Sequence, residues 1–234
     1  MTAVPYPGLA DWHEWHEGYD DPGSELAARL RAVRAHVAAV VDEAPPGPVT
    51  IVSICGGEGR EVIAALEGHP RRGDVRGRLV ELDPNNAASA RRSVNVAGLA
   101  AFEVVHGDAS KTDAYDGLPP ADLVVISGLF GHLDDDDQES TIEFLRQLCR
   151  PGGSVVWTFT ARRLERVPKL RRLFTERGFA ELSFVTLPGN DLALTVALSR
   201  YRGSRREFPA GRTLFTFGSS RGSRRDGVGT RDDA

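Results

Sequence analysis

Two cysteines, Cys55 and Cys149, are all that this chain of 234 residues contains, and they lie far apart in apolar stretches. So small a supply argues against a disulfide framework, and the plain reading is a pair of buried free thiols in a reducing compartment. No Cys/His spacing resembles a zinc site. Long apolar runs are also missing: none approaches the roughly 20 residues needed to span a bilayer. Met1–Asp21 is polar and aromatic, without the basic-then-apolar order of a signal peptide. Together these absences lead to the expectation of a cytoplasmic protein. Positive charge is not in excess either. Lys and Arg number 29 against 33 Asp and Glu, a formal net charge of -4. That balance gives no general reason to expect nucleic acid as a partner, because phosphates call for a basic surface.

What is present is ordinary for a globular domain, with 41% hydrophobic and 26% charged residues. A chain this long can bury a core without staples. Ser24 is a good helix cap, and Leu26, Leu30, Val33, Val37 and Val40 recur behind it at helical spacing. Ala44-Pro45-Pro46-Gly47-Pro48 ends that helix. From there strands and helices alternate. Strands are expected at Val49–Ile54, Arg78–Leu82, Phe102–Val105, Asp122–Ser127 and Ser154–Thr160. Helices are expected at Gly59–Leu66, Asn85–Ala97, Asp135–Cys149 and Arg162–Arg177, with Pro151-Gly152-Gly153 breaking the third. Leu182–Leu187 and Leu192–Tyr201 flank the turn Pro188-Gly189-Asn190-Asp191. The alternation implies a mainly parallel sheet with right-handed crossovers, and the short last turn implies an antiparallel hairpin at one edge. Leu214–Phe217 adds a short strand or an aromatic anchor. We divide the chain into a lid segment and helix (1–48), a main domain (49–217) and a disordered tail (218–234) rich in Gly, Ser, Arg and Asp.

Chemistry concentrates at the ends of the strands. Cys55-Gly56-Gly57-Glu58-Gly59 joins the first strand to a helix. Glycines there let backbone approach a ligand closely, and the helix points free N–H groups at the same place. A tight strand-to-helix turn would use the same residues. The second strand ends Val80-Glu81-Leu82-Asp83-Pro84. An acid there, about twenty residues past the glycine turn, can accept both hydroxyls of a ribose. Glu81 is the better candidate for that role, and Asp83 for a helix cap. The third strand ends Val105-His106-Gly107-Asp108-Ala109. Asp108 can accept an adenine amino group while Ala109 leaves room for the ring, or Asp108 can form an Asx turn.

The glycine turn, Glu81, Gly107-Asp108-Ala109 and the later Leu148-Cys149-Arg150-Pro151-Gly152-Gly153, taken in order, resemble the class I S-adenosylmethionine-dependent methyltransferases. The resemblance covers residues 49–201. It implies a Rossmann-like, doubly wound, mainly parallel seven-stranded sheet with a C-terminal antiparallel hairpin and an N-terminal helical cap. It also implies S-adenosyl-L-methionine as cofactor. Gly57 and Gly59, with Cys55 and Gly56 in the same turn, would contact the methionine part; Glu81 with Leu82, the ribose; Asp108 with Ala109, the adenine. Ser127 and Gly128 would line the sulfonium side. The chain departs from the family where Ser53 replaces a common acid and Cys55 a common glycine. Ser53 can still hydrogen-bond the turn, and Arg60 can face the methionine carboxylate.

Acceptor-side candidates are less specific. His132 is a possible general base, or a surface histidine on a loop. Trp12, His13, Trp15, His16 and Tyr19 fit a lid over the site, with His16 as base and Tyr19 as hydroxyl, and fit an amphipathic helix equally. The acids of Asp134-Asp135-Asp136-Asp137 suit a helix start rather than a metal. The basic helix can bind an anion or be a solvated face. No Asn/Asp-Pro-Pro-Tyr motif follows the fourth strand, so the expected acceptor is a small molecule offering O, N or C. The rivals are a non-catalytic nucleoside-binding member of the same fold and a nicotinamide-dependent oxidoreductase. The latter's G-x-G-x-x-G fingerprint is broken by Val62.

Overall fold

Val49-Thr50-Ile51-Val52-Ser53-Ile54 is a β-branched run without a break, and it forms a strand, β1 (Val49–Ile54), buried at every position. Only a strand covered on both faces reads this way. The computed structural model describes residues 19, 21–161, 164–187, 193–207 and 210–216. Around β1 it arranges β2 (Val75–Glu81), β3 (Ala101–His106), β4 (Ala121–Ile126), β5 (Cys149–Ala161), β6 (Phe179–Leu187) and β7 (Ala193–Tyr201). The order across the single sheet is β3-β2-β1-β4-β5-β7-β6. Neighbours from β3 to β5 pair in parallel, while β7 runs antiparallel between β5 and β6. The strand order reverses between β1 and β4, where such sheets open a crevice at their carboxyl ends.

Helices cover both faces. On one lie α1 (Glu25–Glu43), α2 (Ile63–Leu66) and α3 (Pro84–Ala97), whose apolar residues pack with Ile51, Leu79, Val125 and Val156. On the other lie α4 (Asp135–Leu148) and α5 (Val167–Glu176), packed with an aromatic cluster in which Trp157 stacks on Phe174 at 4.9 Å. Ser24 caps α1 by accepting from the Ala27 N–H, and Asp83 caps α3 by accepting from Asn85 and Asn86. Gly98, at φ +68°, ends α3.

Several elements differ in extent from the sequence expectation. The helix expected over Gly59–Leu66 shrinks to Ile63–Leu66, because Gly59 at φ +80° keeps the chain turning first. β2 starts at Val75 rather than Arg78, pairing Val49 with Val75 although Arg76 is exposed. β5 starts at Cys149 and runs through Pro151-Gly152-Gly153, which forms an irregular register between Ala121 and Leu123 rather than a break. The basic helix begins at Val167, preceded by a 3-10 turn at Leu164–Arg166. Leu214 and Phe215 are buried, and Thr213 bridges Lys111. The turn at 188–191 and the tail from 217 lie outside the described residues. Among the described residues, no helix is long and apolar enough to cross a membrane.

β1 and β2 approach so closely that a Cβ on Gly77 would fall 1.8 Å from the Ile51 carbonyl oxygen. Gly77→Ala is therefore expected to push apart the two strands that carry the glycine turn and Glu81. Urea denaturation should read a loss of about 3 kcal/mol, at the upper end of overpacking costs.

Candidate functional site

The ends of β1, β2 and β3 are stitched side by side. The Gly56 N–H donates to the Val80 carbonyl at 3.1 Å, and the Gly107 N–H donates to the Glu81 carbonyl at 2.9 Å. The ladders therefore continue past the strands into the turns, and three tips finish level. Register places Ile54 beside Val80 and Glu81 beside His106.

Within the glycine turn, Cys55 (φ +51°) and Gly57 (φ +54°) both lie in the left-handed region. For Cys55 that conformation is costly, since its Cβ crowds the following carbonyl. Gly56 is packed: a Cβ there would meet Leu79 at 2.4 Å and Ser53 Oγ at 2.7 Å. Ser53 is thus buried beneath the turn. Gly59 is equally confined by Ile63. Gly57 differs, because a Cβ there would meet nothing within 4 Å. The turn is solid behind and open at Gly57.

Glu81 faces this opening. Its Oε2 accepts the Gly57 N–H at 2.8 Å and its Oε1 accepts the Asp83 N–H at 2.8 Å. A carboxylate has about four lone-pair positions, so both oxygens can still accept from a ligand. Leu82 beside it is exposed. Asp108 accepts the Ser110 N–H at 2.9 Å through Oδ1, an Asx turn, while Ala109 is buried and accepts the Tyr115 hydroxyl at 2.8 Å. Burial, then the negative charges of Glu81 and Asp108, raises the Cys55 thiol well above its ordinary pKa. Both acids therefore act on the same turn.

The fourth tip is Ser127-Gly128. The Gly128 N–H donates to Thr158 Oγ1 at 2.7 Å. A 3-10 turn, Phe130–His132, follows, and buried Gln138 holds it by donating to the Phe130 carbonyl at 2.9 Å. His132 is exposed on this turn, yet the protein behind it lowers its pKa by desolvation. Opposite lies Arg29 of α1, nearly wholly buried, with a guanidinium nitrogen 3.6 Å from where a Gly128 Cβ would stand. It hydrogen-bonds the Tyr19 hydroxyl and lies 3.8 Å from Glu61. Arg29 and Arg60 both face the Tyr19 ring, at 5.4 and 5.7 Å from its centroid. Arg60 also pairs with Glu58 at 2.8 Å.

The structure thus brings Cys55, Gly56, Gly57, Gly59, Glu81, Leu82, Asp108 and Ala109 onto three adjoining tips, with Ser127 and Gly128 on the next strand. Tyr19 and Arg60 meet beside Arg29. His16 and the other aromatic and histidine candidates of residues 12–16 lie outside the described residues. The acidic run is consumed locally: Asp134 caps α4, and Asp135 pairs with Arg166 and Lys169. Sequence reading missed Arg29, Glu61 and Thr158. The available signal for Arg29 was its place four residues before Val33, within the apolar stripe of α1. For Thr158 it was a hydroxyl set between Trp157 and Phe159 in a strand whose centre is aromatic and aliphatic.

Residues 51–153 match the family model described as a methyltransferase domain. No curated protein matches the sequence. Among solved structures, an O-methyltransferase family protein from Burkholderia thailandensis aligns at 18% identity and TM-score 0.53, covering 76% of this chain and 59% of that one. Precorrin-6y C5,15-methyltransferase from Geobacter metallireducens aligns at 17% and 0.53, covering 73% and 88%. Magnesium protoporphyrin IX methyltransferase from Synechocystis PCC 6803, solved with bound SAM, aligns at 14% and 0.62, covering 82% and 92%. The chain spans less than two thirds of the first of these proteins, and at such identities the likeness is one of fold.

Two measurements check this geometry. Glu81→Ala removes the acceptor of two backbone N–H groups and should lower stability without ligand by about 2 kcal/mol, read by urea denaturation. The His132 ring protons, followed by NMR, should titrate below the ordinary value of about 6.5. The sign follows from desolvation: the folded chain binds this proton less readily than the unfolded one, so the histidine opposes folding as pH falls through that value.

Proposed function

We propose that this chain, whose residues 51–153 match a methyltransferase domain, is of the class I S-adenosylmethionine-dependent kind and binds S-adenosylmethionine across the tips of β1, β2 and β3. We propose further that it methylates an O, N or C nucleophile of a small molecule. One observation carries the reading: the open face of Gly57 adjoins the Glu81 carboxylate, and Asp108 follows the tip of the next strand, β3. That arrangement fits a nucleoside. Glu81 would accept the ribose hydroxyls, with its carboxylate already aimed at the turn by the Gly57 N–H. Asp108 would accept the adenine amino group, and Leu82 would offer an apolar surface to the base. The methionine part would lie along Gly57 toward Ser127 and Gly128.

When bound, the cofactor supplies a methyl group on a positively charged sulfur, already activated for transfer. The protein's work is then to orient the acceptor and exclude water. Arg29, Tyr19 and Arg60 form a wall on the acceptor side of the β4 tip. His132, whose pKa is lowered by desolvation, can take a proton where the acceptor must lose one. O- and C5,15-methyltransferases both appear among the similar structures, so the fold alone does not select the acceptor atom.

Calorimetry with S-adenosylhomocysteine tests the proposal. Wild-type protein should bind it. Gly57→Val should abolish binding, since the side chain would fill the opening. Glu81→Ala should weaken it at least tenfold, in keeping with lost hydrogen bonds to a charged group of about 1.5–3 kcal/mol. Unchanged affinity in both variants, or wild-type binding of NAD(P) in its place, would refute the assignment.

A further inference from the structure

Thr158 carries none of the roles assigned above. It lies on β5 among Val155, Val156, Trp157 and Phe159, and all five side chains are buried. A buried hydroxyl must find partners, and this one finds them on the next strand. Oγ1 accepts the Gly128 N–H at 2.7 Å and lies 3.3 Å from Ser127 Oγ. The parallel ladder between β4 and β5 ends at the pair Ile126–Trp157. Beyond it the chain turns through Gly128 at φ +73°, out of reach of backbone pairing. Thr158, one residue past that last pair, supplies the acceptor that the ladder no longer provides.

The rest of the loop is fastened to the same strand and to α4. A Cβ on Gly131 would fall 2.3 Å from the Thr160 carbonyl oxygen, so this backbone lies directly on the end of β5. Gln138 of α4 holds the Phe130 carbonyl from below. Thr158 sets the near end of the loop, the end that adjoins Arg29. Its contact with Ser127 also restricts the Ser127 hydroxyl, because the two oxygens share one hydrogen.

We infer that Thr158 is a positioning residue for methyl transfer, acting through Gly128 and Ser127 to hold the β4 tip against the methyl-bearing end of the cofactor. The inference rests on the proposed function. Valine keeps the shape of threonine and removes the acceptor, leaving the Gly128 N–H without its partner. Serine keeps the acceptor.

Amide hydrogen exchange by NMR, and calorimetry with S-adenosylmethionine and S-adenosylhomocysteine, test it on Thr158→Val and Thr158→Ser. The valine variant should lose protection of the Gly128 amide. It should also lose affinity for S-adenosylmethionine by about fivefold more than for S-adenosylhomocysteine, the scale of one hydrogen bond, because only the former presents a methyl to the tip. Serine should restore both readouts. If valine weakens both ligands equally, or neither, the positioning role is refuted and Thr158 is merely structural. Retained protection of Gly128 would refute the contact itself. Should the valine variant fail to fold, Thr158→Ala takes its place in the same measurements. Wild-type protein that binds neither ligand would overturn the proposed function instead, while amide exchange would still report on the contact.

Discussion

The hydrogen bond from the Gly57 N–H to the Glu81 carboxylate joins the turn after β1 to the end of β2. It is a charge-assisted bond between a turn and the neighbouring strand. Its geometry depends on β1 and β2 lying close enough to exclude any side chain at Gly77, and on a turn whose residues tolerate left-handed backbone. The site is in this sense a by-product of sheet construction: level strand ends, ladders extended by Gly56 and Gly107, and a void where Gly57 has no side chain.

The two faces of the sheet serve the site differently. The aromatic face, with Trp157, Phe174 and Phe179, is dry and densely packed, and it anchors α4 and α5. The opposite face is aliphatic at its centre but turns polar toward the carboxyl ends, where Ser53, Ser127 and Thr158 continue the rows begun by Ile51, Val125 and Val156. Arg29 enters on that side from α1. Burying a guanidinium is expensive unless it is matched, and Tyr19 and Glu61 are placed to match it. The cap helix thereby brings a buried guanidinium beside the β4 tip, while its valine stripe packs on the same face of the sheet.

Much of the fold was legible beforehand because it rests on local signals. β1 is a pure β-branched run, and Ser24, Asp83 and Gly98 are terminal residues whose chemistry is local. The order of elements made a parallel sheet with an antiparallel edge the natural outcome. Several elements differ in extent, each for its own reason. Arg76 and Gly77 disguised the start of β2, since partner strands override the poor strand character of such residues. Pro151-Gly152-Gly153 looked like a break, yet a register irregularity absorbed it. Gly59 fits a helical pattern, yet it holds a left-handed turn.

By itself the sequence determined which residues stand at the strand tips: glycines after β1, an acid closing β2, Asp108 and Ala109 after β3, Ser127 and Gly128 after β4. Such residues announce themselves because backbone conformation, capping and apolar periodicity act over a few positions. Only the tertiary structure decided that Glu81 is clasped by Gly57, that Ser53 lies beneath the turn, and that Arg29 and Thr158 meet the β4 tip from a helix and a strand remote in sequence. Those contacts arise from how closely layers and strands pack, a quantity no local pattern encodes.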